Sequence, residues 1–147
     1  GKEDITPETE TLLYMASRKE LVKNVIRPKL EDGYTVICDR WLDATIAYQS
    51  YGSGVSRKWI ESVAKEVVSG LKPDVTFWLD VPVKTGLNRA GKRADLDKIE
   101  RRALTFHNAV RSGYAALASR HKRIRRIAPA GIELTHRRIA KIIHEIY

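Results

Sequence analysis

The sequence predicts an α/β fold in which helices flank a mostly parallel β-sheet on both faces. Helical and strand-type segments alternate along the 147 residues, and the apolar fraction of 43% is ordinary for a globular domain. No apolar run approaches the roughly 18 residues that a membrane span requires. The chain contains no internal repeat and no linker, so a single domain over residues 1–147 is expected.

The first half begins with a helix and continues into a short strand. Thr6-Pro7-Glu8 is typical of a helix start, with a capping hydroxyl, a proline in the first turn and an acid behind it. Apolar residues then recur at helical spacing up to Leu30, and Pro28 is expected to kink or break this helix near its end. Asp32-Gly33 ends the helix, and the β-type run Tyr34–Cys38 predicts the first strand.

The same alternation continues to the C-terminus. The predicted elements are helix 56–69, strand 74–81, helix 83–90, polar loop 91–97, helix 98–119, strand 124–128 and a helix through 139–146. In sheets of this kind, ligands bind beyond the carboxyl ends of the strands. That rule directs attention to Asp39-Arg40 and to the residues after Asp80.

Charge is distributed unevenly along the chain. The formal net charge is +9, and it divides into −2 for residues 1–83 and +11 for residues 84–147. A one-sided excess of this kind indicates an anionic partner such as nucleic acid, a membrane or a phosphorylated ligand, although solvated helix faces produce it too. The single cysteine, Cys38, excludes an internal disulfide framework and fits a reducing cytoplasm.

One apparent phosphate-binding loop is interpreted as accidental. Residues Gly86 to Lys92 have the spacing of G-x-x-x-x-G-K, but Arg93 stands where the hydroxyl residue belongs. The stretch also falls within a predicted helix instead of following a strand directly.

A more specific constellation lies at the end of the first predicted strand. The planar guanidinium of Arg40 can clamp a phosphate, and Asp39 can help hold Mg²⁺ or orient the arginine. The alternative is that Asp39 and Arg40 simply pair with each other.

The segment Asp39–Gly52 (DRWLDATIAYQSYG) closely resembles the D-R-[YH]-x-x-S-T-x-A-Y-Q-G-x-G signature of thymidylate kinases. Five further blocks in the family's order resemble its other motifs: Leu12–Arg18, Gly70–Thr76, Leu79–Pro82, Leu96–Glu100 and Phe106–Tyr114. Ala44, Ser50 and Lys98 depart from the usual serine, glycine and arginine. The blocks cover about residues 10–120, which identifies the chain as similar to this family.

The resemblance implies a pocket for thymidine monophosphate (dTMP). It implies that Tyr14 stacks on thymine and that Arg18, one helical turn later, bonds the exocyclic oxygen of the base. Thr45 would approach the edge of the base, Tyr48 would lie near the sugar, and Gln49 would border the same pocket.

The resemblance also implies the groups that act on phosphate. Arg40 would hold the phosphate of dTMP, and Asp39 would support Mg²⁺ or Arg40. The loop 89–97 corresponds to the family's mobile lid, whose residues Arg89 and Arg93 would stabilise charge on the transferring phosphoryl group. Lys92 and Asp97 belong to the same lid, Lys92 being equally compatible with a solvated loop.

By this resemblance, the chain is a partial nucleoside monophosphate kinase domain, comprising the C-terminal two-thirds of a thymidylate kinase. The family transfers the γ-phosphoryl group of ATP to dTMP with Mg²⁺, giving dTDP and ADP, and its members are commonly homodimers. Its ATP-binding phosphate loop would precede Gly1, so weak or no activity is expected for these residues alone. The alternative is a non-catalytic protein that binds nucleotides, or nucleic acid through its basic half. Nucleic acid is the less favoured partner, and no membrane association is expected.

Overall fold

The computed structural model describes residues 5–90 and 97–146, which form two compact units that divide between Lys72 and Pro73. The first unit is helical: α1 (Pro7–Leu21), a π-helical segment (Val22–Ile26), α2 (Arg27–Glu31), α3 (Leu42–Thr45), a second π-helical segment (Ile46–Gly52) and α4 (Arg57–Val68). The second contains β1 (Thr76–Leu79), α5 (Val83–Ala90), α6 (Asp97–Arg120), β2 (Ile124–Ile127) and α7 (Ile132–Ile146). Within the described ranges, no helix is both long and apolar enough to cross a membrane.

Helix α1 begins where its capping residues predict. The Thr6 hydroxyl accepts a hydrogen bond from the backbone N–H of Thr9 at 3.2 Å, and Pro7 occupies the first turn. The predicted interruption near Pro28 is also confirmed, because α1 gives way to the five-residue π-helical segment before α2 begins at Arg27. A π-helical turn shifts the hydrogen-bonding register, and Pro28 has no N–H to donate.

The prediction of a strand over Tyr34–Cys38 is wrong for this structure. The segment has no strand pairing, and Ile37 is 93% exposed. An extended segment becomes a strand only when a neighbouring backbone hydrogen-bonds to it, and the described residues of the first unit form helices and loops only. A β-type run of residues therefore lies here as an extended loop that leads to Asp39 and Arg40.

Helix α4 packs against α1 and ends as the sequence predicts. It buries Ile60, Ala64 and Val68, which recur at helical spacing. Its last turn ends at Ser69, which takes a left-handed conformation with φ of 48°. The ammonium group of Lys19 on α1 donates to the carbonyl oxygen of Glu66 at 2.8 Å, so a cation satisfies the carboxyl end of α4.

The second unit contains the parallel pairing expected of the α/β class. Strands β1 and β2 pair in register from Thr76 opposite Ile124 to Leu79 opposite Ile127. Both strands are shorter than predicted, at four residues each. Gly86 lies inside α5, which confirms that the apparent phosphate loop begins within a helix.

Candidate functional site

Helix α1 presents a row of functional side chains at four-residue spacing. Glu10, Tyr14 and Arg18 follow one another along a single face. The Tyr14 side chain is 49% exposed and does not pack in the core, whereas Arg18 is only 9% exposed. An accessible aromatic ring therefore precedes a buried cation by one helical turn.

The segment Leu42–Gly52 lies against this face of α1 and is hydrogen-bonded to it at two points. The Arg18 guanidinium donates through Nη2 to the Thr45 hydroxyl at 3.0 Å. The Gln49 amide donates through Nε2 to the Glu10 carboxylate at 3.2 Å. Thr45 and Gln49 are both buried. The structure thus brings together four of the residues that the resemblance assigns to the pocket: Tyr14, Arg18, Thr45 and Gln49.

Arg18 is held on several sides. Its Nη1 lies 3.4 Å from the sulfur of Met15, and its guanidinium carbon lies 5.4 Å from the centroid of the Trp41 ring. Desolvation on burial lowers the pKa of Arg18, and the neighbouring Cys38 opposes this effect. An arginine nevertheless stays protonated at neutral pH. The result is a fixed, buried cation with N–H groups beyond those that bond Thr45 and Met15.

The loop before α3 carries Asp39 and Arg40. Both side chains are exposed, and they form no ion pair with each other, so the alternative of simple mutual pairing does not describe this structure. Arg40 has a φ of 61°, a left-handed conformation that non-glycine residues rarely adopt. Its guanidinium carbon lies 4.8 Å from the centroid of the Tyr48 ring.

Cys38 lies next to this loop and to Arg18. Its thiol contacts the carbonyl oxygens of Asp39 at 3.8 Å and of Arg40 at 3.9 Å. Partial desolvation raises the pKa of the Cys38 thiol, while Arg18 lowers it and Asp39 raises it further. At neutral pH this cysteine is therefore a protonated thiol.

The structure describes only the two ends of the predicted lid, residues 89–90 and 97. Arg89 lies exposed near the end of α5, and Asp97 is the first residue of α6. Lys92 and Arg93 lie outside the described residues. Their assignment to the lid stays a prediction.

A second polar cluster lies in the second unit, at the carboxyl end of β1. The Asp80 side chain is 1% exposed and accepts hydrogen bonds from Nε of Arg111 at 2.6 Å, Nη2 of Arg111 at 3.2 Å and Nε of Arg126 at 2.6 Å. The pKa of Asp80 is lowered, mainly by its hydrogen bonds with Arg111. Burial opposes this shift, and the hydrogen bond from Arg126 adds to it. The carboxylate therefore stays ionised at neutral pH.

Two arginines of the basic segment 120–126 form hydrogen bonds within the second unit. Arg126 is bound by Asp80 and lies over the Trp78 ring at 5.7 Å. Arg123 donates to the Thr76 hydroxyl at 2.8 Å. Two of these arginines therefore stabilise the short sheet.

Sequence reasoning missed three residues of the first cluster: Glu10, Met15 and Trp41. Glu10 had a detectable signal, because it stands four residues before Tyr14 on the same helical face. Trp41 had a weaker signal as the neighbour of Asp39-Arg40. Met15 had the appearance of an ordinary core residue, although its position three residues before Arg18 puts the two side chains on one face of α1.

The described residues contain no group of three or more His, Cys, Asp or Glu side chains that could hold a metal ion. In the loop before α3, Asp39 offers exposed carboxylate oxygens. That donor chemistry fits Mg²⁺ only as one ligand among others, because Mg²⁺ is commonly bound by one or two carboxylates together with substrate phosphates and water.

The α/β fold and this cluster of arginines and aromatic rings agree with what the resemblance to nucleoside monophosphate kinases implies. The chain belongs to the thymidylate kinase family, since the family model described as "Thymidylate kinase" matches residues 1–139. A thymidylate kinase of Trichodesmium erythraeum is 43% identical over 85% of this chain and 56% of its own length. A thymidylate kinase of Nostoc sp. is 42% identical over 95% of this chain and 67% of its own length.

A solved structure confirms the fold class. The crystal structure of thymidylate kinase from Ehrlichia chaffeensis matches with a TM-score of 0.74 and 27% identity, over 97% of this chain and 68% of that one. This chain thus spans between 56% and 68% of the length of these three relatives.

Proposed function

We propose that this chain carries the dTMP-binding part of a thymidylate kinase, an enzyme that transfers the γ-phosphoryl group of ATP to dTMP and releases dTDP and ADP. The observation that carries the proposal is the buried Arg18 guanidinium, bonded to Thr45 at 3.0 Å one helical turn from the accessible Tyr14 ring. A buried cation that keeps donors free beside an exposed ring suits a planar base with carbonyl oxygens.

The proposed base contacts follow from the chemistry of these groups. The Tyr14 ring, 49% exposed, offers a face on which thymine stacks. Arg18 donates N–H groups to the exocyclic oxygen of thymine, while Thr45 fixes the guanidinium and lies near the edge of the base. The hydrogen bond from Gln49 to Glu10 holds the two sides of the pocket together.

Phosphate recognition is assigned to the loop before α3. The exposed Arg40 guanidinium presents N–H donors that suit phosphate oxygens. Asp39 would supply one carboxylate oxygen to Mg²⁺, and the ion, when bound, neutralises charge on the phosphate groups. The alternative role that the resemblance implies for Asp39 is to orient Arg40.

The transfer itself needs little covalent chemistry from the protein. Phosphoryl transfer depends mainly on positioning and on stabilising the negative charge that spreads over the transferred group. We assign this stabilisation to Arg40 on the dTMP side and to Arg89 and Arg93 on the side of the lid, with Lys92 and Asp97 belonging to the lid.

The binding proposal is tested by isothermal titration of dTMP with the wild-type chain and with Arg18→Met. Loss of a hydrogen bond from a charged donor costs about 1.5–3 kcal/mol, so Arg18→Met should weaken dTMP binding by about 10- to 150-fold. Arg57→Met is the matched control. It makes the same change at an arginine that pairs with Glu61 on α4, and should leave affinity unchanged.

Two outcomes contradict this proposal. The first is a wild-type chain that binds dTMP no better than it binds adenosine monophosphate. The second is salt-sensitive binding of DNA with no dTMP binding, which would favour the nucleic-acid-binding alternative. Phosphoryl transfer is measured separately, as formation of dTDP from ATP and dTMP. An activity that is equally high with nucleoside monophosphates of other bases contradicts the proposed transfer to dTMP.

We also propose that the protein functions as a homodimer, as the family resemblance implies. The supporting observation is the exposure of large apolar side chains on α1 and the following π-helical segment, at 47% for Leu12, 60% for Leu13 and 47% for Val25. Covering apolar surface of this kind favours association. Light scattering after size-exclusion chromatography gives the mass, and Leu13→Lys should shift a dimer toward the monomer.

A further inference from the structure

The backbone at Arg40 adopts a conformation that needs support. Its φ of 61° places a long side chain in the left-handed region, which is unfavourable for residues other than glycine and occurs mostly where surrounding contacts enforce it. Among the residues that the structure describes, the backbone carbonyl of Arg40 accepts one contact, the long one from the Cys38 thiol at 3.9 Å. The contacts of the Arg40 side chain are a second source of support for this conformation.

The Arg40 side chain lies over an aromatic ring. Its guanidinium carbon is 4.8 Å from the centroid of the Tyr48 ring, within the range in which a cation is attracted to the ring face. Stacking engages the flat face of a guanidinium and leaves the N–H groups at its edge directed outward. Those edge donors are the groups that bind phosphate oxygens.

Tyr48 is itself a well-held platform. It belongs to the second π-helical segment, Ile46–Gly52, where its neighbours Ala47 and Gln49 are 0% and 6% exposed. Its backbone carbonyl accepts the N–H of Ser53 at 3.0 Å. The ring therefore projects from a backbone fixed on both sides, whereas Arg40 lies in an exposed loop.

We propose that Tyr48 is a positioning residue for phosphate recognition: its ring holds the Arg40 guanidinium in place for the 5′-phosphate of the nucleotide. The proposal rests on the proposed function of this site, and it adds a role for Tyr48 that is separate from proximity to the sugar. Its consequence is specific, because Tyr48 then contributes more to the binding of dTMP than to the binding of thymidine, which lacks the phosphate.

The test compares dTMP with thymidine in titrations of the wild-type chain, Tyr48→Phe and Tyr48→Leu. Cation–π contacts at exposed sites correspond to about two- to fivefold in affinity. Tyr48→Leu should therefore lower dTMP affinity by about that factor more than it lowers thymidine affinity, since both ligands share the sugar and only dTMP has the phosphate. Tyr48→Phe keeps the ring and should keep the ratio of the two affinities. An equal loss for both ligands in Tyr48→Leu, or a loss in Tyr48→Phe as large as in Tyr48→Leu, overturns the proposal.

A double-mutant cycle isolates the route through Arg40. In an Arg40→Met background, Tyr48→Leu should cause no further loss of dTMP affinity. If it causes the full two- to fivefold loss there, Tyr48 acts independently of Arg40 and the proposal is refuted.

A variant of unchanged shape guards against misfolding of Tyr48→Leu. Trifluorophenylalanine at position 48 has nearly the volume of phenylalanine but a weakened negative ring face. Relative to Tyr48→Phe it should lower dTMP affinity and not thymidine affinity, and unchanged dTMP affinity overturns the proposal. A wild-type chain without preference for dTMP over thymidine refutes the proposed phosphate site as well. If Tyr48→Leu and the trifluorophenylalanine variant both keep the wild-type preference for dTMP over thymidine, only the role of Tyr48 is refuted.

Discussion

The Asp80→Asn substitution should destabilise the second unit through loss of one buried charge. Asp80 is 1% exposed and accepts three hydrogen bonds, at 2.6 and 3.2 Å from Arg111 and at 2.6 Å from Arg126. Removal of one partner from a fully buried ion pair costs about 3–5 kcal/mol. The two arginine side chains are 42% and 59% exposed and regain water, so we expect a smaller loss, of about 2 kcal/mol.

The pH dependence of this loss has a definite sign. The pKa of Asp80 is depressed in the folded protein, chiefly by Arg111 and also by Arg126, despite the opposing effect of burial. The ionised Asp80 carboxylate therefore contributes fully to the free energy of unfolding above its pKa in the unfolded chain, about 3.9. This contribution disappears as the pH falls through the lower pKa that Asp80 has in the folded protein. The difference in free energy of unfolding between wild type and Asp80→Asn should be full at pH 7 and should shrink below about pH 4.

Urea denaturation followed by Trp78 fluorescence measures this difference, because Trp78 lies in the same unit and contacts Arg126. The measurement uses a background with phenylalanine at the other two tryptophans. Glu133→Gln is the matched control: it removes the charge from an exposed pair with Arg137, at 3.7 Å, and should cost less than about 0.5 kcal/mol. The reasoning is refuted if Asp80→Asn costs no more than this control, or if its cost is the same at pH 7 and pH 3.

Further outcomes are expected at three positions, Thr45, Cys38 and Thr6. Thr45→Val keeps the shape of the side chain but removes the acceptor for Arg18, and should lower the free energy of unfolding by about 1–2 kcal/mol in urea denaturation; no change would show that the 3.0 Å contact is not stabilising. Because the pKa of Cys38 is raised, iodoacetamide should modify it at pH 7.5 more slowly than an unstructured cysteine, as measured by mass spectrometry. Arg18→Met should slow the reaction further, since Arg18 lowers that pKa, and faster modification would contradict the assignment. Thr6→Ala should cost about 1 kcal/mol of stability through loss of the cap on α1, with Thr6→Ser restoring most of it, and an unchanged circular-dichroism melt would contradict that role.

Local signals in the sequence predicted the helices well. The cap at Thr6, the interruption near Pro28 and the apolar spacing of α4 each depend on residues within one or two turns of each other, and all three are present in the structure. The fold class followed from the alternation of elements and is confirmed by the parallel pairing of β1 with β2 and by the likeness to a solved thymidylate kinase.

Strands were predicted less well because their formation is not a local property. The run Tyr34–Cys38 has the β-branched and aromatic residues typical of a strand, yet it lies unpaired in its unit. The pattern of side chains shows that a segment suits a strand, while the presence of a partner backbone decides whether it becomes one. The same limit explains why β1 and β2 are shorter than their apolar runs.

The candidate site illustrates the same division between near and distant contacts. The spacing of Tyr14 and Arg18 along α1 was sufficient to place both on one face, but the hydrogen bond from Arg18 to Thr45 spans 27 residues and that from Gln49 to Glu10 spans 39. Periodicity carries no information about such pairs, and the family motifs supplied the residues without the contacts between them. For the contact between Arg40 and Tyr48, neither the motif nor the spacing indicates that one side chain supports the other. That relation follows only from the left-handed backbone of Arg40 and the position of its side chain over the ring.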